Sequence, residues 1–244
     1  MLSHFQQFAA VCGSTLKSEM RQIGKLPRFF TPVGTQMAYV GNLLYGGMDQ
    51  ALKDNCGSHP ICMGMTMPGR GLNDVYARLN AFSSRIVATD ADSWDGSFPI
   101  AIANLVGHFR SFFVPKEYRE LHRRYYSQVY DGFVAVLGMI FHVPRQPSGQ
   151  TLTTSDNSLV QSVLMFLSAI RCGMTLQQFQ KEVLFYCMGD DLIYATKNDK
   201  FTAKHVADTY KSFGVYLECT TETFHSIEQA SFCGTTPVWR VVDG

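Results

Sequence analysis

Three stretches of this 244-residue chain carry residues whose types and spacing could do chemistry. Gly189-Asp190-Asp191 lies between two apolar runs, Val183 to Met188 and Leu192 to Thr196, which read as strand, tight turn, strand. Such a turn presents two carboxylates at the end of an otherwise buried element. Hard divalent cations suit it, because magnesium takes carboxylate oxygens at about 2.0–2.1 Å and keeps substrate phosphates among its other ligands. Asp90, directly after the apolar run Ile86 to Thr89, supplies a second acidic strand end, with Asp95 five residues on. Asp90 and Asp190 could hold two metals about 3.5–4 Å apart for in-line displacement at a phosphate. Each signal alone has a plainer reading: Asp and Gly are default turn residues, and an Asp-x4-Asp pair also fits a cap or a solvated surface charge.

The third stretch, Ser148-Gly149-Gln150 through Thr153 to Asn157 and Ser158, is a flexible glycine loop running into a helix. Ser, Thr and Asp there suit an N-cap. Capping does not call for Asn157 inside the first turns, where Asn is a mediocre helix former, so Asn157 is a candidate for another role.

The elements that must position these groups follow from periodicity. Residues 34–54 read as helix, 55–73 as an irregular Gly-, Met- and Pro-rich connection, and helical patterning resumes near Asn73. Arg85 to Thr89 reads as a buried strand. Two helical stretches follow Pro99, to about Phe113 and about Tyr126, and Val129 to Val143 reads as two strands turning at Asp131-Gly132. A long apolar helix spans Ser155 to Arg171, a further helix spans 202–213, and Val215 to Cys219 and Ala230 to Gly234 read as short strands. The fold class expected is α+β, a mainly antiparallel sheet with helices on one face.

Composition narrows the options. With 46% hydrophobic and 17% charged residues the chain is an ordinary folded globular protein rather than a disordered or collagen-like one. A net charge of +1 gives no overall basic character, so any attraction for phosphate must be local. The densest basic stretch of the first half is Lys17, Arg21, Lys25 and Arg28, with Glu19 the one acid among residues 1–30. Seven scattered cysteines suit free thiols in a reducing compartment. Cys56-x2-His59-x2-Cys62 lacks the spacing of a usual zinc finger. No apolar run approaches the roughly 20 residues of a membrane span, and no signal peptide is expected. Tyr125, Tyr126 and Tyr130 beside Arg123 and Arg124 could stack on a single-stranded nucleic acid, but are read as core; Trp94 is expected to pack beneath the metal site.

Taken in order, these motifs resemble the RNA-dependent RNA polymerases of picornavirus-like positive-strand RNA viruses: picornaviruses, caliciviruses, astroviruses and potyviruses. Asp90-x4-Asp95, with Trp94 before the second Asp, looks like motif A. Ser148-Gly149-x3-Thr153-x3-Asn157 looks like motif B, and Tyr186-Cys-Met-Gly189-Asp190-Asp191 like motif C. Lys17 to Arg28 is similar to motif F, the basic fingers strand over the incoming triphosphate, and Ala230 to Gly234 resembles motif E, the primer grip.

The resemblance implies a polymerase palm with partial fingers: residues 1–84 as partial fingers and entry to the palm, including motif F, and 85–244 as palm, with the thumb largely absent and the chain a fragment or trimmed core. It implies Asp90 and Asp190 as metal ligands with Asp191 auxiliary, and two Mg²⁺ (or Mn²⁺) ions. Asp95, Ser148, Thr153 and Asn157, with Gly149 in the same loop, recognise the nucleotide; Lys17, Arg21, Lys25 and Arg28 meet its phosphates. The implied partners are RNA template and primer, ribonucleoside triphosphates and other viral replication proteins. The implied location is host-cell cytoplasm at membrane-associated replication complexes. One departure is that Leu217 to Thr223 lacks the Lys that often serves as general acid; His225 is the nearest candidate. A reverse transcriptase is the nearest alternative, but Gly96-Ser97 stands where an aromatic steric gate is usual. A non-catalytic RNA-binding relic would show a missing metal Asp, and none is missing.

Overall fold

In the computed structural model, described for residues 11–16, 23, 29–67, 69–218 and 226–238, the chain forms ten strands and eight α-helices among those residues. In order these are β1 (Val11–Gly13), β2 (Thr15–Leu16), β3 (Phe29–Phe30), α1 (Thr35–Asp54), α2 (Arg70–Phe82), β4 (Ile86–Thr89), β5 (Ala91–Asp92), α3 (Trp94–Ser97) and α4 (Ile100–Ser111). There follow α5 (Arg119–Tyr130), β6 (Phe133–Val136), β7 (Met139–His142), α6 (Thr153–Arg171), α7 (Leu176–Glu182), β8 (Val183–Met188), β9 (Asp191–Thr196), α8 (Ala203–Lys211) and β10 (Tyr216–Leu217). They group into two compact units, one of residues 1–49 with 98–153 and the other of 50–97 with 154–244. Each unit draws on two stretches of chain, whereas the division expected at 84/85 follows motif content.

The second unit is built on the antiparallel sheet β4-β9-β8, with β9 central. Both β8 and β9 are apolar at consecutive positions, the pattern of a strand buried on two faces. Directly opposed residues share a face. Ile86, Ala195 and Leu184 therefore point one way and Val87, Tyr194 and Phe185 the other. Against the first face α2 lays Leu72, Val75, Tyr76 and Leu79, the i, i+3, i+4, i+7 stripe of an amphipathic helix. On the second face Phe185 meets Phe179 of α7, and the Cys187 thiol donates to the Ser158 carbonyl of α6 at 3.4 Å. The α+β class is as expected, but helices cover both faces rather than one.

The first unit holds a three-stranded sheet, β1-β6-β7, the pair β2-β3, and helices α4 and α5. Its core is aromatic: Tyr125, Tyr126 and Tyr130 are all buried with Tyr45, so the tyrosine run is core rather than a stacking platform. The Tyr45 hydroxyl meets His122 Nδ1 at 2.6 Å, and burial pushes that imidazole below its usual value, keeping it a neutral acceptor. Arg110, fully buried, is paired with Asp49 at 3.0 Å. Arg123 and Arg124 engage Glu120.

Two turn assignments change. The β6-β7 hairpin turns at Leu137-Gly138, both with positive φ as a type I′ turn requires. Asp131-Gly132 instead ends α5, the Asp131 N–H bonding the Ser127 carbonyl. Likewise Ala230 to Gly234 is not a strand but runs into a tight turn, with Phe232 and Thr235 exchanging backbone bonds around Cys233 and Gly234, both of positive φ. Among the described residues no single helix is long and apolar enough to cross a membrane.

Candidate active site: carboxylates at a strand turn

Strands β8 and β9 pair from Val183 with Thr196 up to Met188 with Asp191, leaving Gly189 and Asp190 as a two-residue loop. Gly189 takes φ 67 at the first loop position, where glycine escapes the Cβ penalty of that backbone region. Asp191 is thus the first residue of β9 rather than part of the loop. The neighbouring β4 pairs Thr89 with Leu192, so Asp90 emerges at the same sheet end as Asp191.

Electrostatics reports this convergence. Burial first, then repulsion from Asp190 and Asp90, pushes the Asp191 carboxyl up to about 6, although it accepts hydrogen bonds from the Cys233 N–H and thiol. A divalent cation among these carboxylates would relieve that repulsion, and three carboxylates are a hard-oxygen donor set. Among the described residues no group of three or more His, Cys, Asp or Glu side chains is arranged to hold a metal ion. Magnesium needs none, being commonly held by one or two carboxylates plus substrate phosphates. The Cys56, His59, Cys62 run is accounted for otherwise: His59 Nε2 lies 3.0 Å from the Leu52 carbonyl, and the Cys62 N–H bonds the Cys187 carbonyl.

The nucleotide-recognition candidates divide between the units. Asp95 sits on the short α3 and Asn157 in the first turns of α6, in the same unit as the carboxylates. Asn157 is buried, and its Oδ1 has no hydrogen-bond partner among the described residues. A buried acceptor left open costs free energy unless a donor arrives. Trp94, ahead of Asp95, is buried.

Ser148, Gly149 and Thr153 belong to the other unit. The Gly149 N–H bonds the Thr31 carbonyl at 3.0 Å. A Cβ on Gly149 would lie 2.6 Å from the Pro32 Cα and 2.9 Å from the Thr31 oxygen, so only glycine fits. The Thr153 hydroxyl is turned onto the loop's own carbonyls, Gln150 at 2.8 Å and Pro147 at 3.3 Å. Lys17, Arg21, Lys25, Arg28 and His225 lie outside the described residues.

Sequence comparison decides the family. A model of the viral RNA-dependent RNA polymerase family matches residues 1–240. The chain belongs to this family. It is 26% identical over 215 residues to the non-structural polyprotein 1AB of Avian nephritis virus 1, covering 78% of the chain and 14% of that polyprotein. It is 31% identical over 203 residues to the genome polyprotein of Soybean mosaic virus (strain N), covering 79% of the chain and 6% of the polyprotein. The fold matches the Sicinivirus 3Dpol RNA dependent RNA polymerase with a TM-score of 0.73 at 18% identity, across 95% of this chain and 51% of that one. Viral RNA-dependent RNA polymerases generally use divalent metal ions.

Four residues beside the carboxylates have no individual role assigned from the sequence. The Ser158 hydroxyl accepts the Gly189 N–H at 2.9 Å, and the Gln161 amide donates to the Asp190 carbonyl at 2.7 Å. Tyr210 donates to Gln161, and Cys233 to Asp191. Their signal was faint: Ser158 and Gln161, three apart and so on one face, are two of several polar residues in α6, which also carries Thr154, Asn157, Ser162 and Ser168.

Proposed function

We propose that this chain catalyses RNA-templated addition of ribonucleotides to a primer 3′ hydroxyl during viral genome replication. The observation that carries the reading is the emergence of Asp90, Asp190 and Asp191 at one end of the β4-β9-β8 sheet, where burial first and then the charges of Asp190 and Asp90 hold up the Asp191 carboxyl. Family membership and fold support it. Asp90 and Asp190 would hold two magnesium or manganese ions, with Asp191 auxiliary. Bound there, the ions supply charge neutralisation at the phosphates and activation of the 3′ hydroxyl.

Phosphoryl transfer otherwise asks for alignment and electrostatics rather than covalent chemistry. Asp95, Ser148, Thr153 and Asn157 hold the ribose hydroxyls, Asn157 with the open acceptor a hydroxyl donor would satisfy. Lys17, Arg21, Lys25 and Arg28 offset triphosphate charge by charge-assisted hydrogen bonds. In this reading residues 1–84 contribute fingers and 85–244 the palm. The partners are RNA template and primer, ribonucleoside triphosphates and other viral replication proteins at membrane-associated complexes in the host cytoplasm.

The test is metal-dependent incorporation of labelled ribonucleotide on a primed template. Asp90→Asn and Asp190→Asn each remove one charge at an exposed or half-buried strand end. Both should abolish incorporation while leaving the unfolding midpoint near wild type. Near-normal activity in both variants would sink the two-metal assignment.

A further inference from the structure

The backbone of each proposed metal-binding aspartate is tied to one element, the helix α8 and the strand β10 that follows it. At Asp190 the tie is a side-chain relay: the Tyr210 hydroxyl of α8 donates to Gln161 Oε1 at 2.6 Å, and Gln161 Nε2 donates to the Asp190 carbonyl at 2.7 Å. Tyr210 and Gln161 are both fully buried, so the bond between their side chains is shielded from solvent. At Asp90 the tie is direct: β10 pairs with β5, Tyr216 with Asp92 and Leu217 with Ala91, and the Glu218 N–H then bonds the Asp90 carbonyl at 2.7 Å. Gly214, at φ 87, makes the turn from α8 into β10, and the Val215 N–H bonds the Tyr210 carbonyl. The residue that starts the relay therefore also anchors the strand that reaches Asp90.

We infer that Tyr210 and Gln161 are positioning residues, and that the α8-β10 element sets the separation of Asp90 and Asp190 through them. The inference rests on the metal-site reading above. Gln161 suits the task because its amide offers an acceptor and a donor at once, so it satisfies the hydroxyl on one side and the turn carbonyl on the other. A displacement of α8 moves the Asp190 backbone through the relay and the Asp90 backbone through β10.

The experiment compares wild type, Tyr210→Phe, Gln161→Met and the double variant in the polymerase, each first checked for its unfolding midpoint. One readout is Mn²⁺ binding without nucleotide, followed by the electron paramagnetic resonance signal of the free ion. The other is kcat and nucleotide KM for single additions. Residues that orient a metal ligand typically affect metal affinity or activity by about 10–100-fold when replaced. Tyr210→Phe removes only one hydroxyl and should weaken Mn²⁺ binding and lower kcat by about tenfold, with nucleotide KM unchanged. The double variant should be no worse than Gln161→Met alone, because members of one chain do not add. Wild-type Mn²⁺ binding and kcat in Tyr210→Phe, a loss confined to nucleotide KM, or losses that multiply in the double variant would each overturn the relay. If Gln161→Met fails to fold, the Tyr210→Phe split between Mn²⁺ affinity and KM decides alone. A wild-type protein that neither binds Mn²⁺ nor incorporates nucleotide would instead overturn the metal-site reading itself.

Discussion

A raised carboxyl pKa makes Asp191 a titrating group between acid and neutral pH. A carboxyl held up to about 6 binds protons more tightly in the folded chain than in the unfolded one, where its value is 3.8. The sign follows by linkage: stability from this group is present at acid pH and is lost as pH rises through about 6, with no further change above. In metal-free buffer the wild type should lose on the order of 2 kcal/mol from this group between about pH 4 and about pH 7. Asp191→Asn should lack that slope, and parallel urea-unfolding profiles for the two proteins would contradict the coupling. Asn157 makes a second residue-scale prediction. A site built to bond a substrate hydroxyl can reject analogues lacking it by as much as about 10⁴-fold, because buried partners are left unpaired. Asn157→Ala, or Asp95→Ala, should therefore cut kcat/KM for a ribonucleotide far more than for its deoxy analogue. Equal losses for the two sugars would reduce these residues to shaping the loop.

At the scale of elements, two glycines of the same unit should respond oppositely to one methyl group. Gly149→Ala drives a Cβ into the backbone of Thr31 and Pro32, and overpacking of that kind costs about 1–3 kcal/mol. Gly46, within α1, has open space where a Cβ would go. There Ala should stabilise by about 0.5–1 kcal/mol, the usual cost of glycine in a helix. Chemical denaturation of both variants checks the pair, and a Gly149→Ala protein as stable as wild type would show that the motif B loop is free of the Thr31-Pro32 segment. The same scale explains the misplaced hairpin turn. Asp-Gly is a strong turn signal, but the preceding tyrosine run continues α5 as far as Tyr130, and a helix also ends readily at Asp-Gly.

For the whole molecule, a net charge of +1 means that attraction for a triphosphate is not a property of the surface at large. Under the proposed function it comes from the local run Lys17, Arg21, Lys25 and Arg28. Lys25→Ala and Arg28→Ala should raise the nucleotide KM several-fold, roughly 1–2 kcal/mol per lost charge-assisted contact, with kcat much less affected. A change confined to template affinity would move this segment to the RNA channel instead.

Residue types and their order set the expected chemistry by themselves. An acidic pair between apolar strands, a second acid after another strand, and a Ser-Gly loop entering a helix are local signals, each legible from a handful of neighbours. Only the tertiary structure decided how these stretches meet. That Asp90 and Asp191 share a sheet end depends on the β4-β9 register, a pairing across about a hundred residues of chain that no local window contains. Helical cover on both faces of the sheet was written in the consecutive apolar residues of β8 and β9. Yet such runs do not say which helix lies on which face, because burial is non-directional. Ser158, Gln161, Tyr210 and Cys233 became visible last. A polar side chain means only that some partner satisfies it, and here three of those partners, Gly189 and Asp190 of the loop and Asp191 at the start of β9, are brought alongside by folding.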